Sequence, residues 1–121
     1  MSFGNSITIT VNAVAKVLPK INTDNFGSVY RLYESTGYFE LQIRNSKESP
    51  QKDGRAFDRH NVTLTQVVYA TPTTPEYTRI AQSTFRNLSD DPFVQVGYLT
   101  AAFVDWLDLA GTQADLISWQ N

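Results

Sequence analysis

The chain's only histidine, His60, lies beside Arg59 with Asp58 close by in sequence. It reads as a partly buried structural side chain that alternates inward with Val62, and no serine–histidine–aspartate relay can be built around it. Asp90 and Asp91 read as helix-start residues. One carboxylate pair without further spaced oxygen ligands does not make a cation site. No glycine-rich loop precedes a helix, so there is no phosphate cradle. The sequence therefore predicts no catalytic residue, no metal and no cofactor. The chemistry it does offer is hydrogen bonding from a strand surface. Gln42, Arg44 and Glu40 recur at every second position of one segment, and Arg59, Asn61, Thr63 and Thr65 do so in another. Lys16 and Lys20 are expected to join them, with Arg31 beside them. Guanidinium and ammonium groups suit phosphate oxygens, and amides suit the edges of unpaired bases. Tyr38 or Tyr69 could stack on a splayed base.

Strands must position these groups. Ser6–Val11 and the segment from Ala13 to Ile21 read as a hairpin around a tight turn at Asn12-Ala13. Pro19 marks an exposed edge. Ser28–Tyr33 is a third strand. In the fourth, Tyr38–Ser46, Phe39, Leu41 and Ile43 alternate with Tyr38, Glu40, Gln42 and Arg44, as a sheet with one dry face requires. A charged loop, Lys47–Ala56, precedes a long strand whose dry side is Val62, Leu64, Val68 and Ala70. Thr74 and Pro75 read as the start of a helix carrying Tyr77, Ile80, Ala81, Phe85 and Leu88 as a stripe. A second helix, Pro92 to Ala110, is expected to close at Gly111 and to leave an extended tail. Its apolar residues form two stripes. One is Phe93, Val96, Phe103 and Leu107; the other is Leu99, Ala102, Trp106 and Leu109. A helix apolar over most of its circumference needs cover on more than one side. A second copy of the chain is the expected cover for the second stripe; the alternative is a central helix wedged between the chain's own sheet, first helix and tail.

The predicted fold class is α+β, with strands first and helices after. An N-terminal hairpin (1–21) leads into an antiparallel sheet of about five strands (27–71). Two helices (74–110) on one face and a tail (111–121) complete a single domain. At 121 residues such a domain buries roughly two-thirds of its unfolded surface. The absence of cysteine excludes disulfides and thiolate metal sites. Neither a secretory signal nor a run of ~20 apolar residues is visible, so no membrane role is expected. Residues 1–60 hold eight of the ten Lys and Arg against six acids, whereas residues 61–121 hold two against six. The strand-rich half is mildly basic and the helical half acidic.

The order of elements resembles that of the coat proteins of single-stranded RNA bacteriophages. The resemblance rests on AKVLPKIN (15–22), SKES (46–49), RHNV (59–62), VYATPTTPEYTR (68–79) and LISWQ (116–120), collinear over nearly the whole chain. It implies an intertwined homodimer in which two sheets join and the helices interlock. It also implies a quasi-equivalent icosahedral shell, assembled in the bacterial cytoplasm, with the sheet facing the RNA. Many such proteins bind a hairpin overlapping the replicase start. By the same resemblance Asn61 matches a position that touches operator RNA, and the Lys47–Ala56 loop one that clusters at shell symmetry axes. Arg59 stands where an aromatic is common. The partners implied are the chain itself and single-stranded RNA, with no small-molecule substrate. A non-viral dimeric RNA-binding module is the alternative from the residues alone, and a small-ligand α+β domain the third.

Overall fold

A computed structural model describes residues 3–120; Met1, Ser2 and Asn121, at the outer ends of the expected hairpin and tail, lie outside it. Two compact units divide after Arg86. The first contains β1 (Ser6–Val11), β2 (Val14–Thr23), β3 (Gly27–Glu34), β4 (Gly37–Lys47), β5 (Phe57–Val68) and most of β6 (Tyr77–Leu88). These strands form one sheet in sequence order. The second contains α1 (Phe93–Asp108) and α2 (Ala110–Ile117). The predicted α+β layout of an antiparallel sheet followed by two helices holds, with six strands rather than about five.

Antiparallel register fixes which side chains share a face. Leu41 sits opposite Leu64 and Ile43 opposite Val62, while Tyr30 sits opposite Leu41. Leu18, Tyr30, Phe39, Leu41 and Ile43 form the buried core, with Ile7, Ile9, Val11, Leu32, Val62 and Leu64 packed around it. The first hairpin thus rolls over the dry face of β3–β5. Its turn places Asn12 and Ala13 at φ 51° and 62°, the left-handed pair that matches hairpin twist. A register shift between Lys20 and Asn22 lets β2 leave the main sheet, as bulges do. Gly37 is needed for close approach: a Cβ there would stand 1.9 Å from the Val67 carbonyl oxygen.

Five expectations from the sequence are corrected. Residues 77–88 are strand β6, not a helix. Tyr77, Thr78, Ile80, Thr84 and Phe85 all favour a pleated surface, and this β content prevails over an apolar spacing that also fits a helix. Thr74 does not cap a helix; its N–H donates to Thr71 Oγ1 at 3.0 Å, and Thr71 N–H donates to the Thr74 carbonyl at 2.8 Å. This closes the β5–β6 loop. The final helix does not run on to Ala110. It breaks at Leu109, which is extended (φ −65°, ψ 131°), and the Gln113 side-chain amide donates to the stranded Leu107 carbonyl at 3.1 Å. Gly111 lies inside α2 rather than ending a helix, and most of the expected extended tail is helical. That helix closes when Gln120 N–H reaches the Asp115 carbonyl and Trp119 N–H the Leu116 carbonyl, with Trp119 at φ 64°. This is the Schellman pattern with tryptophan where glycine is usual.

Leu18 is fully buried and joins the hairpin to the sheet. Leu18→Ala should cost about 2–5 kcal/mol, read as a lowered urea midpoint with unchanged slope. A midpoint at the wild-type value would show that the hairpin does not pack on the sheet.

Candidate nucleic-acid interface

Opposite the core, β3–β5 present a polar face. Register places Arg31, Glu40 and Thr65 in one row across the strands and Val29, Gln42 and Thr63 in the next. Arg44 and Asn61 form a third row, and Ser46 and Arg59 a fourth. Contacts extend this surface to β6, where Asn61 Nδ2 donates to Thr84 Oγ1 at 2.8 Å. Thr63 Oγ1 donates to Asn61 Oδ1 at 3.0 Å, so the Asn61 amide is held at both ends. Gln42, Arg44 and Arg59 are exposed, and Asn61, Thr63 and Thr65 are half-buried. Eight of the ten residues expected on this face are therefore together on it.

Lys16 and Lys20 are not. They share a side of β2 with buried Leu18, and β1 explains why. Ile9 is opposite Lys16 and Ile7 opposite Leu18, so the apolar side of β1 carries both lysines toward the core. Val17 and Ile21 are left about half exposed. The lysines accommodate this by extending their ammonium groups to polar or aromatic partners. Lys16 Nζ pairs with Glu34 at 2.8 Å and lies 5.7 Å from the Phe39 ring centroid. Lys20 Nζ lies 5.6 Å from the Tyr30 ring. His60 alternates inward with Val62 as expected and meets Asn45 Oδ1 at 2.7 Å.

Most guanidinium groups of the polar face are already paired. Arg31 Nε donates to Glu40 at 2.8 Å, with a second contact from Nη2, and Nη1 donates to Tyr33 Oη at 2.8 Å. These bonds, Glu40's above all, push Arg31 further above its ordinary range. Arg86 Nε donates to Glu48 at 2.8 Å, and its guanidinium carbon lies 3.7 Å from the Phe57 ring centroid. Asp24 explains the position of Arg44. One carboxylate oxygen accepts from Phe26 N–H at 2.8 Å and closes the β2–β3 turn. The other accepts from Arg44 Nη1 at 2.6 Å. Among the described residues, Arg59 has no carboxylate within ion-pair distance. The face is thus polar with little net charge, richer in fixed hydrogen-bonding groups than in free cations.

In the helical unit the first stripe lies wholly on α1, whereas the second loses Leu109 to the helix break, and no residue of α1 or α2 is buried. Leu99, Trp106 and Leu109 are 75%, 52% and 57% exposed, and Ala102 is exposed. All five carboxylates after Arg86 are aspartates, and that segment carries no Lys or Arg. Among the described residues, no helix is long and apolar enough to cross a membrane.

Comparison with known proteins identifies one family. Residues 4–88 match the family described as phage phiCb5, coat protein. Among solved structures, the fold is similar to that of the bacteriophage EMS014 coat protein. That likeness has a TM-score of 0.68 at 20% identity and covers 91% of this chain and 80% of that one. Comparison with curated proteins finds no match.

The Asp24–Arg44 bond has a measurable signature. The Arg44 hydrogen bond, then the Phe26 N–H, hold the Asp24 carboxyl below its ordinary 3.8. A carboxyl depressed in the folded state stabilises above its unfolded pKa, and the effect is lost as pH falls through the folded value. An NMR titration should place Asp24 below 3.8 in the wild type and closer to the ordinary range in Arg44→Gln. A wild-type value at or above the ordinary one would show that the pair does not form in solution.

Proposed function

The chain belongs to the phage phiCb5 coat-protein family, a structural and not an enzymatic family, and from that premise we propose that two copies form the building block of an icosahedral shell around single-stranded RNA. The observation that carries this reading is the exposure of the helical unit. Phe93, Tyr98, Leu99, Phe103, Trp106 and Leu109 are between 44% and 86% exposed. Apolar side chains in this number mark an association surface. Burying them is worth about 25 cal/mol per Å², and obligate homodimer interfaces are apolar in this way. Leu99, Ala102, Trp106 and Leu109 are the proposed contacts. The second support is β6, a twelve-residue strand at the end of the sheet. A long edge strand invites pairing with another chain, which would join two sheets into one.

The polar face is the proposed RNA surface. Arg59 and the outer N–H groups of Arg44 meet phosphates, while Gln42, Asn61, Thr63 and Thr65 supply hydrogen bonds to sugars and unpaired bases. Arg31 and Glu40 flank them as a fixed pair. Lys16 and Lys20 take no part on this face. The same groups are the ones available to a translational operator hairpin. Assembly takes place in the host cytoplasm and the product resides in the virion.

Purified protein should give hollow particles of uniform diameter by negative-stain microscopy, and nucleic acid should co-elute with them. A monomer free of RNA would overturn the reading. Trp106→Asp should abolish the dimer on size-exclusion chromatography, and a surviving dimer removes Trp106 from the interface. Arg44→Glu combined with Arg59→Glu should lower RNA per particle by about twofold or more at moderate salt. Unchanged RNA content would mean that the wrong face has been assigned.

A further inference from the structure

At one end of the polar face, next to the β3–β4 turn, three tyrosines converge. Tyr33 and Tyr38 are direct cross-strand partners, with ring centroids 5.6 Å apart and planes tilted by 57°. Tyr38 meets Tyr69 at 6.3 Å and 58°, and Tyr69 N–H is anchored on the Thr36 carbonyl at 2.9 Å. The Arg31 guanidinium carbon lies 5.6 Å from the Tyr33 ring and 5.3 Å from the Tyr38 ring. Arg31 is held by Glu40 on one side and by the Tyr33 hydroxyl on the other. The cluster is therefore built and oriented before any ligand arrives.

Sheet stability accounts for part of this arrangement, since cross-strand aromatic pairs are stabilising. It does not account for Tyr33 being 62% exposed, with a guanidinium fixed against its ring. Because Glu40 already balances Arg31, the cluster offers π-surface and a polarised edge more than free charge. That combination suits the flat face of an unpaired nucleobase. It is continuous with the amide and hydroxyl groups of Thr65, Gln42 and Thr63, which occupy the next rows of the same face.

We propose that Tyr33, Tyr38, Tyr69 and Arg31 form a base-stacking subsite for single-stranded RNA, separate from the Arg44–Arg59 pole that meets phosphates. The subsite rests on the RNA reading of this face. It accepts any unpaired base, with purines favoured by their larger stacking area. It contributes to affinity without contributing to salt dependence.

The test measures binding of a fluorescent twelve-nucleotide oligoadenylate to the full-length protein across a salt series. Tyr33→Leu combined with Tyr69→Leu should weaken binding about tenfold while the slope of log affinity against log salt stays at the wild-type value. Tyr33→Phe should lose less affinity than Tyr33→Leu, because it keeps the ring and gives up only the hydroxyl bond to Arg31. Arg59→Gln should lower the slope instead. Wild-type affinity in the double variant overturns the subsite and leaves the RNA surface standing. So does a loss accompanied by a changed slope, or a dimer defect with affinity intact, which would assign the tyrosines to contacts between copies. If the wild-type protein does not bind the oligonucleotide at all, the RNA reading fails and the subsite with it.

Discussion

The register of β3, β4 and β5 is the constraint on which the rest of the first unit depends. Tyr30, Leu41 and Leu64 lie in one row, and Ile43 and Val62 lie in another. A slip of one residue would turn every one of these side chains to the opposite face. The same slip would bury Arg44 and Asn61. Burying a guanidinium without its partner costs far more than any single packing contact returns. Apolar packing and charge solvation therefore select the same register, and the polar face is a necessary consequence of the core beneath it. This is why the hydrogen-bonding rows can be regular although none of their members is buried.

The parts of the fold legible in the sequence are those where one strand carries its own answer. In β4 the alternation of Phe39, Leu41 and Ile43 with Glu40, Gln42 and Arg44 fixes both the strand and its faces, and β5 follows. Elsewhere the answer lies in a neighbour. Taken alone, β2 presents Ala15, Val17, Pro19 and Ile21 as its apolar side. Paired to β1, it must follow Ile7, Ile9 and Val11, so Leu18 goes inward and Lys16 and Lys20 go with it. The bulge before Asn22 is equally invisible to alternation. In β6 the spacing of Tyr77, Ile80, Ala81 and Phe85 fits a helix on paper. Only the available edge of β5 resolves it as a strand. The tilted tyrosine cluster needed the β3–β4 register to bring Tyr33 beside Tyr38.

The charge pattern gains a different meaning once the pairs are seen. From the sequence the strand-rich half is basic and the helical half acidic. In the structure, Arg31, Arg44 and Arg86 are each tied to a carboxylate, so the polar face has little long-range field of its own. Each pair is partly exposed and contributes little to stability. Its more useful effect is positional: a guanidinium held on one side presents its remaining donors in a fixed direction. Such a surface is suited to many weak, short-range contacts along a flexible polyanion.

That distinction bears on how a shell of this kind could assemble. A strongly cationic face would hold RNA tightly wherever the two first met, and misplaced subunits would dissociate slowly. On the proposed reading, a face of paired charges, amides and aromatic rings would bind each nucleotide weakly and leave the lasting contacts to those between copies. The helical unit is built for that division. Its exposed apolar residues would supply the attraction between chains, and its aspartates, unrelieved by any Lys or Arg, would disfavour contact with phosphate. One chain would thus divide its two tasks between different elements, with association assigned to the helices and the edge of β6, and reversible nucleic-acid contact to the polar rows of β3–β5.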